Sequence, residues 1–179
     1  MTKDQAKEFL RKSNYYIRIK AFTYNFEKDK NGIYVNLDFK YLKKFSVWDT
    51  LLRDLILEIS LGCEHFLKVK LHQHFCETDE DRYEIIKKFE EKCDKKINLN
   101  LENHYIQYLS DKYQELPLWA YIEFLTFNEL LEFIKFYKEK YPCFECPSDS
   151  LMFCVRKLRN ASAHNNTILN YFIRNPKHK

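Results

Sequence analysis

The chain has 179 residues and a net charge of +4, enough for one compact domain with a real core and too short for two comfortable ones. Two glycines and four prolines supply few of the special turns a β-rich fold needs, so the composition points to helices joined by few loops. Six cysteines with no apolar signal peptide are expected to be reduced thiols of a cytoplasmic protein rather than a disulfide framework, and no apolar run is long enough for a membrane span.

Thr2 and Gln5 have the spacing of a capping box, opening an amphipathic helix expected to run to about Ala21. Asn31-Gly32 marks a turn, and Ile33-Tyr34-Val35 supports at most a short β-hairpin. Over residues 45–75, Leu51, Leu52, Leu55, Ile56 and Ile59 recur with a helical period while Asp49, Arg53, Asp54 and Glu58 take other faces. This is the strongest helix in the sequence, with Gly62 as a place for a kink. Further helices are expected over 80–95, charged on most faces and so largely solvated, over 103–109, and over 119–141. Leu116-Pro117 and Tyr141-Pro142 bound the last of these. Ser148 or Asp149 then caps a final helix that carries Arg159-Asn160-Ala161-Ser162-Ala163-His164.

The chain holds 15 Phe, 13 Tyr and 2 Trp, a surplus that fits a core, a dimer interface or a base-stacking surface. Tyr15, Tyr16 and Trp119 are read as core, because a stacking platform needs exposed rings beside a basic groove.

Residues 151–179 contain three Lys and three Arg but no acid, leaving −2 for the remainder; such a segment attracts phosphate. At about 100° per residue, Arg156, Arg159, Asn160, Ala163 and His164 fall within an arc of about 140°. Leu151, Cys154, Val155, Leu158, Ala161 and Ser162 lie on the other side, so the helix is expected to present the first set and bury the second. Asn160 lies four residues before His164, a spacing at which its amide can orient the imidazole. Histidine exchanges protons near neutral pH, and a guanidinium grips a phosphate and the charge that develops on it. That pairing suits phosphate-ester chemistry.

Pro142-Cys143-Phe144-Glu145-Cys146-Pro147 has the C-x-x-C spacing of zinc or redox sites, but no second pair stands at a standard distance. His72, His74 and Cys76 could complete a site only by folding alongside. Cys143 and Cys146 are therefore read as two loop cysteines, with no metal and no cofactor.

Leu158-Arg159-Asn160-Ala161-Ser162-Ala163-His164-Asn165-Asn166 resembles the Arg-Asn-x-x-Ala-His signature of the Abi-like family of phage-defence proteins, part of the broader HEPN superfamily. Three further segments agree in order and spacing. They are Asn14-Tyr15-Tyr16-Ile17-Arg18-Ile19-Lys20-Ala21-Phe22, then Asp49-Thr50-Leu51-Leu52-Arg53 with Glu64, and Pro117-Leu118-Trp119-Ala120-Tyr121-Ile122-Glu123-Phe124-Leu125-Thr126-Phe127.

The resemblance implies an all-α, HEPN-like helical bundle, a single domain over residues 1–179, usually dimeric. Two copies of the motif would face each other in one metal-independent RNA-cleaving site. It implies Arg159 and His164 as the catalytic pair and Asn160 as the polar residue that follows the Arg, with Arg53 and Glu64 in supporting places. Arg156 is either a second phosphate grip or a solvated charge. Relatives usually continue for about a hundred residues past the motif, the size of a small domain, whereas this chain stops fifteen residues after His164, as a truncated or a short relative would. Two other readings stay open: a non-catalytic module that binds RNA or accompanies a guide or other non-coding RNA, and a helical protein-interaction domain. The expected partners are RNA, a second copy of the chain, and an antitoxin or a non-coding RNA, with no membrane.

Overall fold

The protein is described here by a computed structural model covering residues 1–93 and 104–170. Those residues form eight α-helices, one 3-10 turn and no strand, so the chain is all-α. In order they are α1 (Lys3–Lys12), α2 (Tyr16–Ala21), the 3-10 turn (Phe22–Asn25), α3 (Phe39–Cys76), α4 (Glu84–Cys93), α5 (His104–Lys112), α6 (Leu118–Phe124), α7 (Phe127–Lys140) and α8 (Asp149–Ala163). The expected hairpin reduces to one isolated bridge between Lys28 and Tyr34, turned at Gly32 with φ +78°. The end expected at residue 95, the start expected at 103 and the basic residues from 171 onward lie outside the described residues.

Local side-chain chemistry explains where the helices depart from the expected bounds. Thr2 and Gln5 do form the capping box of α1. The helix then stops at Ser13, because Asn14 turns its side chain to other partners: Oδ1 accepts from the Tyr15 N–H at 2.9 Å and Nδ2 donates to Ser46 Oγ at 2.6 Å. The helical phase restarts at α2, which buries Arg18 and Ile19. Tyr15 and Tyr16 are left exposed, the reverse of the core placement expected for them. Trp119 is half-buried, with its ring edge-on to Tyr113 at 5.2 Å.

α3 begins earlier than expected, where Asp38 Oδ1 accepts from the Lys40 N–H at 2.8 Å, and it stays helical through Gly62. α4 begins later, where Asp81 Oδ1 caps the N–H groups of Tyr83 and Glu84 at 2.8 and 2.9 Å. It buries Ile85, Ile86 and Phe89 rather than lying in solvent. The helix expected over 119–141 breaks at Leu125-Thr126, since Thr126 and Glu129 make a second capping box that starts α7.

The helices pack as two compact units, Met1–Ile59 with Lys157–Lys179, and Ser60–Arg156. The second unit holds the large core: Leu67, Leu71, Ile85, Phe89, Leu118, Leu130, Phe133, Ile134, Tyr137 and Phe144 are all buried together. Each such side chain stabilises the fold by about 1.5–3 kcal/mol on burial. Phe89 and Phe133 meet edge-on with centroids 4.9 Å apart. The first unit has a smaller core of Ile19, Phe22 and Leu42, flanked by half-buried Phe9, Phe26, Phe39, Phe45 and Leu169.

One anion clamps the second unit at its edge. Glu80 accepts from Lys140, from the Tyr141 hydroxyl at 2.7 Å and from Lys88 at 3.3 Å. Burial alone would raise the Glu80 carboxyl, but the hydrogen bonds from Lys140, Tyr141 and Lys88 outweigh it and hold it down to about 2. A carboxyl depressed in the folded state contributes stability that is present above its unfolded value, near 4.3, and is lost as pH falls toward 2. Glu80→Gln is therefore expected to cost about 2 kcal/mol in urea unfolding at pH 7, with the gap to wild type narrowing as pH falls below about 4 and largely closed at about pH 2. An undiminished gap at pH 2 would contradict this account.

Candidate functional site

Helix α8 positions the Arg-Asn-x-x-x-His segment, and both of its ends are built by side chains and turns. Ser148 Oγ accepts from the Leu151 N–H at 3.4 Å, which selects Ser148 from the two N-caps the sequence offers. At the other end the Asn165 N–H bonds the Ser162 carbonyl at 3.1 Å and the Asn166 N–H bonds the Ala161 carbonyl at 2.9 Å. Asn165 adopts φ +58°. This is a Schellman closure with asparagine in the left-handed position, a conformation that asparagine tolerates better than most residues. The His164 N–H still bonds the Asn160 carbonyl at 3.0 Å, so the exposed imidazole hangs from the residue that caps the closed end of α8.

Around it, Arg159 is half-buried and Asn160 exposed. The Arg159 guanidinium donates to Asn160 Oδ1 at 3.3 Å. The amide therefore serves the guanidinium, not the imidazole as its four-residue spacing suggested. The expected two-sided wheel is also corrected. Leu151 and Leu158 are 54% and 43% exposed and Cys154 is exposed, while Met152 and Ser162 are buried. Apolar character did not decide which face is covered, because the half-buried Val155 and Arg156 lie on the same side as Met152. Ser162 Oγ has no hydrogen-bond partner among the described residues.

The supporting residues do not form one group. Arg156 belongs to the second unit, where it donates to Asn128 Oδ1 at 2.5 Å and lies 5.1 Å over the Phe153 ring. Glu64 is in the same unit, half-buried and paired with the half-buried Lys68 at 3.5 Å. Arg53 belongs to the first unit together with Arg159 and His164.

There Arg53 joins a buried network that the motif helix depends on. Asp49 is wholly buried, and its Oδ2 accepts from Arg18 at 3.2 Å and from Arg53 Nε at 3.1 Å. Its Oδ1 accepts from the backbone N–H groups of Ile168 and Leu169 at 2.7 and 2.9 Å. Arg18 and Arg53 each also donate to Asn165 Oδ1, the first at 2.5 Å. Arg53 reaches Thr50 Oγ1 at 3.1 Å as well. Asn25 Nδ2 holds the Leu169 carbonyl at 2.7 Å. The residue after the motif histidine is thus gripped by two guanidiniums, and the segment beyond it is held by one carboxylate.

The sequence places Asp49 and Arg53 on faces of α3 away from its apolar run, and it does not single out Arg18 or Asn165. No local pattern marks them, since Ile17 beside the buried Arg18 is itself 75% exposed.

Removing the carboxylate strands two buried cations and two backbone donors. Asp49→Ala is accordingly expected to lower unfolding stability by about 3–5 kcal/mol and to release the end of α8. Chemical denaturation with circular dichroism would measure it, and a loss under about 1 kcal/mol would show that the network contributes no more than a surface pair.

His74 does fold alongside Cys143, with Nε2 and Sγ 3.7 Å apart. Among the described residues, however, no group of three or more His, Cys, Asp or Glu side chains is arranged to hold a metal ion. None of the described helices is long and apolar enough to cross a membrane.

Comparison with known proteins finds no match among curated proteins and none among solved structures. A family model does match, that of the Abi-like proteins, over residues 8–170. This span takes in the second half of α1, the Asp49 network and the whole of α8. The chain belongs to the Abi-like protein family.

Proposed function

We propose that this chain acts in abortive-infection defence against phage as a metal-independent endoribonuclease, with a composite HEPN-type site made from Arg159 and His164 of two copies in the cytoplasm. One observation carries the reading: an exposed imidazole on a rigidly closed helix end, one turn and a residue away from a half-buried guanidinium held by Asn160. In the reaction His164 of one copy takes the proton from an RNA 2′-hydroxyl, which attacks the adjacent phosphorus. Arg159 stabilises the charge on the pentacovalent phosphorus. His164 of the second copy gives a proton to the departing 5′-oxygen, leaving a 2′,3′-cyclic phosphate and a 5′-hydroxyl. A single imidazole cannot be base and acid in the same step, and each chain has one such motif.

An apolar stripe supports pairing of two copies. Trp48, Leu51, Leu55 and Ile59 recur on one face of α3 in the same unit as the motif, and each is more than half exposed. A regular apolar face of this kind marks an interaction surface. The double variant Leu51→Glu, Leu55→Glu is expected to be a monomer by light scattering at micromolar concentration and to lose RNA cleavage. A monomeric variant that still cuts would refute the composite site.

A second reading has its own observation. Because Asn160 serves Arg159, the His164 ring has no orienting hydrogen bond among the described residues. That favours a module that binds RNA, including a guide or other non-coding RNA, without cutting it. The two readings separate cleanly in one assay. For the nuclease, cleavage survives EDTA and falls by about a hundredfold or more in His164→Ala, with RNA affinity nearly unchanged, while Arg159→Ala weakens both. Cleavage that needs magnesium, or that His164→Ala leaves intact, would reject the mechanism. Binding without cleavage by the intact protein would select the second reading.

A further inference from the structure

The second unit contains a cluster of reactive side chains that RNA cleavage does not use. His74, in the last turn of α3, has its Nδ1 hydrogen-bonded to the Tyr137 hydroxyl at 2.8 Å. Its ring is caged edge-on by Tyr137, Tyr141 and Phe144, with centroids 5.6, 5.7 and 5.2 Å away. The caged ring directs Nε2 at Cys143 Sγ, 3.7 Å away, and Cys143 is exposed in the turn after α7. We propose that Cys143 is a reactive thiol, served by His74 that Tyr137 positions, and that it exchanges with small-molecule disulfides.

The arrangement has three parts: a nucleophile, a nitrogen base within reach, and a third group that fixes the base. Burial, followed by the nearby Tyr141 and Cys143, pushes the Tyr137 hydroxyl up, so it stays protonated and can face either tautomer of His74 without ionising. If Nε2 carries the lone pair, it takes the thiol proton. If Nε2 carries the proton, the thiol proton passes to solvent and the Nε2–H donates to the sulfur anion. Either way the attacking thiolate faces an N–H. It then attacks one sulfur of the disulfide: a Cys143–sulfur bond forms, the disulfide bond breaks, and the electron pair leaves on the second sulfur, which takes up a proton as a free thiol. Cys143 is oxidised to a mixed disulfide and half of the reagent is reduced.

Two other cysteines serve as comparisons within the same molecule. Cys76 also has an imidazole nearby, but His72 offers both nitrogens at similar range, 3.8 and 4.0 Å, from an exposed and uncaged ring one helical turn away. Burial pushes the Cys146 thiol up, which keeps it protonated and makes it the weaker nucleophile of the C-x-x-C pair.

The test treats the reduced full chain with glutathione disulfide at pH 7 and follows each cysteine by acid quench and peptide mass spectrometry. Cys143 is expected to react about tenfold faster than the exposed Cys76, Cys93 and Cys154. His74→Gln should remove that advantage and Tyr137→Phe should reduce it severalfold, with the rates at Cys93 and Cys154 unchanged as a check on the fold. If either variant misfolds, the ranking in the unaltered protein decides. Equal rates at Cys143 and Cys93, or a Cys143 rate that a folded His74→Gln leaves unaltered, would overturn the proposal.

Discussion

A carboxylate with no solvent contact survives in a protein only when its lone pairs are filled. Asp49 fills them with donors from three parts of the chain: Arg18 on α2, Arg53 one turn along α3, and the backbone of Ile168 and Leu169 beyond α8. Breaking such a set costs far more than forming it gains, since any one deletion leaves charge stranded in a poorly polar place. The Asp49 network also acts over long range in sequence. It ties segments more than a hundred residues apart in sequence into one arrangement, in a unit with a small apolar core.

The two units answer the same demand by different physics. The second relies on interlocked rings and aliphatic side chains, with Glu80 and its partners at the margin. The first relies on a few buried apolar groups and a saturated ionic centre. An aromatic core tolerates exchanges that conserve volume, whereas a saturated polar centre tolerates almost none. The candidate catalytic residues Arg159 and His164 belong to the less tolerant unit.

Legibility in the sequence followed the range of the interactions. Features set within four residues were readable: the Thr2–Gln5 box, the Ser148 cap and the long periodic run of α3. The Thr126–Glu129 box was equally local, but the apolar run from Trp119 to Tyr141 hid it. The restart of helical phase after Asn14 was not readable, because it depends on Ser46, thirty-two positions away. The motif itself was visible as spacing and charge. Which face of α8 is covered depends on neighbours that a helical wheel does not contain, and so the exposure of Leu151 and Leu158 was missed. Arg18 and Asn165 stood inside segments that resemble the family, yet their partnership runs across 147 positions and leaves no local trace.

Asn165 illustrates how narrow such a position becomes. Its backbone must sit at φ +58° and its side chain must present an oxygen to two guanidiniums. Glycine meets the first demand and fails the second; glutamine can offer the oxygen but resists the left-handed backbone. Only asparagine and aspartate satisfy both. The alphabet allowed beside the motif histidine is thereby cut to two letters by requirements that have nothing to do with chemistry on RNA, and an invariant residue there would be a signature of how the helix is tethered.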